Sequence, residues 1–261
     1  MKIGDIIQQL EFLAPTKYQE EYDNSGLITG DRSSDCTGVM VSLDCTEELV
    51  IEARRKNCNL IVSHHPLIFR PVRQVTPGNP TGRCLIAAIR NEMAIYAIHT
   101  NLDNVMSGVN ASIADKLALV NREILLPRAG SASVGSGLTG DLEKPVSEKQ
   151  LLKELKEKFG TPVIRHSPLT GQSVSRIAIC GGAGSFLIPN ALQAGAGFFI
   201  SADIRYHEFF ENEGKMVIAD IGHYESEQYT VDLLHDFILE KFRNFAVLKS
   251  GTLTNPVNYY I

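Results

Sequence analysis

The chain has 261 residues, 44% of them hydrophobic, enough to bury one large or two small α/β cores and too many for a disordered polypeptide. A formal charge of −5 and a pI near 5.8 give no global basic field, which argues against sequence-independent nucleic-acid binding. The five cysteines (Cys36, Cys45, Cys58, Cys84 and Cys180) are odd in number and lack CxxC spacing, so they point to reduced, packed thiols and a cytoplasmic protein.

The opening MKIGDIIQQLEFLAP reads as an amphipathic helix, because Asp5 and Glu11 interrupt its apolar positions; it is neither a signal peptide nor a membrane span. Asp23, Asn24, Ser25 and Gly26 then suit a turn. An alternating series follows: VMVSLD as strand, EELVIEARRKN as helix, NLIVSHH as strand, CLIAAIRNE as helix, AIYAIHTNLD as strand. Residues about 121–175 read as a turn-rich stretch with a single helix, SEKQLLKELKEKFG, N-capped by Ser147. The alternation then repeats weakly in RIAICGG, FLIPNALQAG, GFFISAD, YHEFFENEG and MVIADIGHYESE, and VDLLHDFILEKF closes the chain as a helix.

The predicted fold is therefore α/β: two facing lobes related by a weak internal duplication, each with a largely parallel sheet, and a metal site between them. The first lobe is expected over residues 1–125, closed by a C-terminal helix within 230–261, and the second over 126–229.

Ligand-type residues collect at the carboxyl ends of these runs. His64 and His65 follow Leu60–Val62, and Pro66 keeps His65 out of helical geometry. Adjacent side chains on an extended backbone point to opposite sides, so the pair suits two neighbouring ions better than one. Asp103 follows the strand that carries His99, and His223 and Glu227 share a face if a helical turn opens there. Three imidazoles and two carboxylates without a thiolate exceed a closed structural zinc site and fit an open hydrolytic one, where two ions about 3.5–4 Å apart activate a bridging hydroxide. Such donors accept zinc, iron, manganese or nickel. His99 suits a catalytic proton shuttle or a ligand orienter, with a hydrogen-bonded structural histidine as the alternative. Asp103 as a helix cap, and His223 with Glu227 as an exposed helical pair, are the plain alternatives.

Two glycine patterns complete the reading. Gly135, Gly137 and Gly140 match GxGxxG but lack a flanking strand and helix, so a nicotinamide site is rejected. The turn Cys180–Ser185 does join a strand to a helix, where its amides either bind an anion or permit close helix packing.

SHHPLIF, HTNLD with GVN, CGGAGS and GHYESE, in this order, together resemble the NIF-three-like family (NGG-one-interacting factor three), and YDNSGL resembles its usual tryptophan version with Tyr22 substituted. The likeness spans almost the whole chain and implies a minimal form without the inserted domain of longer members. It further implies two divalent ions (zinc or iron foremost) on His64, His65, Asp103, His223 and Glu227, a toroidal homohexamer, and hydrolysis of a cyclic amide or purine nucleotide in the manner of a GTP cyclohydrolase I type 2. A non-enzymatic metal-binding ring, for metal storage or delivery or for protein interaction, is the alternative. Where the family has Thr and Gly ahead of its Asp, this chain has Ser201 and Ala202 ahead of Asp203.

Overall fold

A computed structural model describes residues 1–260. The chain divides into two compact units, Met1–Leu102 with Thr230–Pro256, and Asp103–Tyr229 with the segment from Val257 onward.

The first unit opens with α1 (Ile3–Leu13), whose buried face is Ile3, Ile6, Ile7 and Leu10, spaced as an amphipathic helix requires. Its sheet contains β1 (Gly26–Thr29), β2 (Val39–Ser42), β3 (Leu60–Ser63), β4 (Ala94–Ala97) and the strand Val247–Lys249, in the order β1-β4-β3-β2-Val247–Lys249. All pairs are parallel except β1 with β4. Strands β2, β3 and β4 are buried on both faces, which explains why they read as continuous apolar runs. One face (Met40, Ile61, Ile95) packs on α2 (Glu47–Arg55) and α3 (Pro80–Arg90) through Leu49, Val50, Ala53 and Ala88. On β2 also lies the helix Thr230–Lys241, which packs against α1. Thr46 and Asn79 cap α2 and α3, accepting from Leu49 N and Gly82 N. A helical turn, α4 (Thr100–Asp103), follows β4.

The second unit holds α5 (Val109–Lys116), β5 (Val120–Pro127), β6 (Gly135–Ser147), α6 (Glu148–Phe159), β7 (Arg165–His166), β8 (Ser173–Ala183), α7 (Ile188–Gln193), β9 (Phe198–Ala202), β10 (Val217–Asp220) and α8 (His223–Glu227). Its sheet runs β5-β6-β8-β9-β10-β7. The β8-β9-β10 core is parallel, and antiparallel strands complete both edges. Each unit thus carries three consecutive parallel strands with helical connections. One face of this sheet packs on α5 and α6 through Ile113, Leu151, Leu155 and Phe159; the other packs on α7 through Ile188 and Ala191.

Two expectations change here. The stretch read as turns contains two long paired strands, β5 and β6, so the second sheet is mixed and not largely parallel. Gly135, Gly137 and Gly140 lie inside β6, and a Cβ at Gly137 would approach Leu187 Cδ1 to 2.7 Å, so that glycine admits the helical layer. YHEFFENEG forms a 3₁₀ segment, Tyr206–Asn212, instead of an α-helix. The helix SEKQLLKELKEKF stands as read: Ser147 Oγ accepts from Gln150 N, and Gly160 ends the helix in the left-handed conformation. All five cysteines are buried and free. Among the described residues no helix is long and apolar enough to cross a membrane.

Candidate metal centre

In the first unit, the parallel ladder continues past β3: His64 N and His65 N donate to Ser42 O and Leu43 O. Ser63 Oγ then donates to His65 O at 2.8 Å and turns the chain. The two adjacent rings do not diverge as an extended backbone would have them; their centroids are 5.0 Å apart. His99 joins them, at 5.2 Å from His64 and 5.4 Å from His65. Each of the three offers a ligand nitrogen, all within 4.8 Å of one another. His99, read as a shuttle or structural residue, thus belongs to the same ligand-type cluster as the histidine pair.

Each ring is held by Nδ1. His64 Nδ1 meets Ile98 O at 2.9 Å, His65 Nδ1 meets Asp44 Oδ1 at 2.7 Å, and His99 Nδ1 meets Asp23 Oδ1 at 2.8 Å. A carbonyl or an ionised carboxylate only accepts, so Nδ1 must carry the proton and, in the neutral ring, Nε2 carries the lone pair. That is the tautomer a metal needs, fixed in the way outer-shell partners fix metal-binding histidines. Asp44 is steadied in turn by Thr254 Oγ1 at 2.7 Å, and Asp23 by the hydroxyls of Ser25 and Thr100. Burial raises the Asp23 pKa, but the bonds from His99 and Thr100 prevail and hold the carboxyl well below its usual range.

The second unit repeats this arrangement at the end of β10. Gly222, at φ +93°, starts α8, and His223 and Glu227 stand one turn apart with Nε2 and Oε2 at 3.0 Å. Asp203, itself left-handed at φ +53°, takes His223 Nδ1 at 2.8 Å. Burial lowers the His223 pKa, but the flanking carboxylates Asp203 and Glu227 outweigh it and push the pKa up to about 11. The proton on Nε2 supplies positive charge where a cation would supply it. Glu227 is only 3% exposed, so the pair is not a solvated helix-surface pair. Burial, then the negative charges of Asp103 and Glu227, drive the Cys180 thiol far above its usual range. Gly108, not Asp103, is the N-cap residue of α5, so the capping alternative for Asp103 falls. Instead Asn110 bridges, donating to Asp103 O and accepting from Gly181 N.

The glycine turn has a definite role. Gly182 sits at φ +62°, and a Cβ there would lie 2.3 Å from Glu227 Oε1. Its N–H donates to Ser226 Oγ, and that of Gly184 to Ser201 Oγ. These amides hold α8 and β9 and are not directed at an anion, so close packing is the correct alternative. Ser201 also donates to Gly182 O, so a hydroxyl remains at the family's Thr position and ties this turn to the loop of Asp203.

Asp23, Asp44 and Asp203, which lock three of the rings, escaped the sequence reading. The remaining histidines, His166, His207 and His235, belong to neither cluster. Both units present groups able to hold a metal: nitrogen donors with set tautomers in the first, and a histidine with carboxylates in a glycine-lined cradle in the second. The donor set is nitrogen and oxygen, which suits a divalent ion.

The family described as Duf34/NIF3 (NGG1p interacting factor 3) matches residues 1–256, and the chain belongs to it. A Clostridium perfringens protein named GTP cyclohydrolase 1 type 2 homolog is 34% identical over 229 residues, covering 87% of each chain. A Campylobacter jejuni protein of the same name is 31% identical over the full length of both. The crystal structure of Staphylococcus aureus hypothetical protein SA1388 superposes with a TM-score of 0.92 at 29% identity, covering 100% of this chain and 99% of that one.

Proposed function

We propose that this Duf34/NIF3 member is a dinuclear metal-dependent hydrolase whose ions are held by His64, His65, Asp103, His223 and Glu227. The observation that carries the reading is how the paired histidines are held: His64 and His65 engage Nδ1 with a carbonyl and a carboxylate, which leaves Nε2 for ligation, and His223 engages Nδ1 with Asp203 in the same way. Two divalent ions supply, when bound, activation of water near neutral pH and an electrophilic hold on a developing oxyanion. The chain's own residues do the rest. Asp44, Asp23 and Asp203 hold the imidazoles, and the Gly182 cradle holds Glu227. With Nδ1–H on Asp23, His99 presents Nε2 as the acceptor for a proton released beside His64 and His65. The name GTP cyclohydrolase 1 type 2 homolog, borne by the relatives, supports a purine nucleotide as substrate. A cyclic amide as the other substrate class, zinc or iron as the metal and a cytoplasmic homohexamer as the working form belong to the same proposal and rest on the resemblance of the sequence motifs to the family.

Elemental analysis of protein purified without added metal, paired with a turnover screen over purine nucleotides and cyclic amides, tests the proposal. Two ions per chain, lost in His64→Ala together with turnover, is the expected result. Full turnover in His64→Ala, or metal-loaded protein inert towards every substrate tried, would overturn it.

A further inference from the structure

Beside the histidine cluster, the first unit carries two adjoining cavities. The smaller, about 390 Å³, is lined by His65, Asp44, Leu67 and Thr81 among others. The larger, about 670 Å³, shares Leu67 and Thr81 with it and extends along Phe69, Arg70, Arg73 and Asn79. That volume lies in the range of small-molecule sites, roughly 300–1,000 Å³.

The two cavities differ in charge. The one at His65 is lined by Asp44, Glu47, Glu48 and a single arginine, Arg83, whose Nε is bound to Glu47 Oε2 at 3.2 Å. The larger contains no acidic residue in its lining, and neither Arg70 nor Arg73 forms an ion pair among the described residues. In a chain of net charge −5, two uncompensated guanidinium groups on one cavity form a local positive field. The planar fork of a guanidinium group donates to two oxygens of a phosphate at once. Phe69, in the lining of the larger cavity, stands 6.0 Å from the His99 ring and 6.1 Å from that of Tyr22, so the arginine cavity borders the histidine cluster.

We infer that Arg70 and Arg73 form an anion-binding arm that takes the phosphate end of a small phosphorylated substrate, whose ring end reaches His65 along Leu67 and Thr81. The direction of the substrate rests on the hydrolase reading above; the anion site rests on the cavity alone.

Isothermal titration of the purified full chain with inorganic pyrophosphate at low ionic strength tests the arm, with metal content measured on the same samples. Saturable binding is expected, weakened about tenfold by Arg70→Ala or Arg73→Ala, as loss of one charge-assisted contact implies, and lost in the double variant. Arg55→Ala, at an exposed arginine of α2, should change nothing. No binding by the wild type, equal weakening by Arg55→Ala, an unchanged double variant, or loss of metal in the arginine variants would overturn the inference. Failure of the hydrolase reading shows separately, as absent metal or absent turnover with pyrophosphate binding intact.

Discussion

Gly182→Ala isolates the geometry of the second unit's carboxylate. The added Cβ would lie 2.3 Å from Glu227 Oε1 and 3.2 Å from Cδ, against 3.4 Å for an ordinary contact, so the carboxylate must retreat by roughly 1 Å. Metal–oxygen bonds near 2.0–2.2 Å tolerate about 0.2 Å, so that retreat would take Glu227 out of the proposed coordination. The backbone adds a second cost: an L side chain at φ +62° is disfavoured by about 1–2 kcal/mol. Gly160→Ala separates the two effects, since Gly160 has nearly the same φ, +64°, with nothing within 4 Å of the place its added methyl would take. Both variants should lose about 1–2 kcal/mol by chemical denaturation, with some further loss in Gly182→Ala. Only Gly182→Ala should lower metal affinity, by at least the roughly 10–100-fold that outer-shell changes produce, read as ions per chain at buffered free metal. If Gly182→Ala keeps wild-type metal affinity, Glu227 is not a ligand and the cradle argument fails.

Asp44→Ala should weaken metal binding about 10–100-fold with little effect on folding, because the lock on His65 Nδ1 is lost while the sheet is not; equal affinity in a metal-competition titration would count against the lock. Asp23 has a depressed folded-state pKa, so its contribution is complete above the ordinary value of 3.8 and disappears as pH falls through the lower folded value. Denaturation midpoints measured from about pH 6 downward should therefore fall less steeply in Asp23→Asn, which starts less stable. Glu52 clamps residues 250–252 with four hydrogen bonds, from Ser250 Oγ, Gly251 N, Thr252 N and Thr252 Oγ1; burial raises its pKa, but the bond from Lys56 and those of the clamp outweigh it and bring the pKa down to about 2 from 4.5. That stabilisation is present above pH 4.5 and is lost towards pH 2; Glu52→Ala should cost roughly 1–2 kcal/mol after screening and make the segment carrying Thr254 more sensitive to protease.

What the sequence disclosed follows from how local each signal is. β2, β3 and β4 are buried on both faces, so their apolar runs are continuous and visible. His223 and Glu227 share a helical turn, and their spacing alone pairs them. β6 was hidden because Gly135, Gly137 and Gly140 break the alternation of a strand while serving close packing. The locking carboxylates were hidden by distance: Asp23 lies 76 residues from His99, Asp44 21 from His65, and Asp203 20 from His223. A signal for two of them was present. VMVSLD and FISAD end in Asp44 and Asp203, at the same strand-end position that drew attention to Asp103.

That repeated position ties the fold to its chemistry. At the carboxyl end of a parallel strand the ladder runs out, and the next side chains leave the apolar layer where polar groups are needed. In the first unit β2 ends at Asp44, β3 at His64 and His65, and β4 at Ile98 and His99; neighbouring strands supply imidazole and lock together. In the second, β9 ends at Asp203 and β10 leads to His223, again adjacent parallel strands. Parallel pairing brings equivalent strand ends side by side, so a histidine on one and an acceptor on the next meet without a dedicated loop. The same local rule, applied once in each unit, yields His65 on Asp44 and His223 on Asp203, and a substitution that shifts either strand's register should uncouple the ring from its lock before it unfolds the unit.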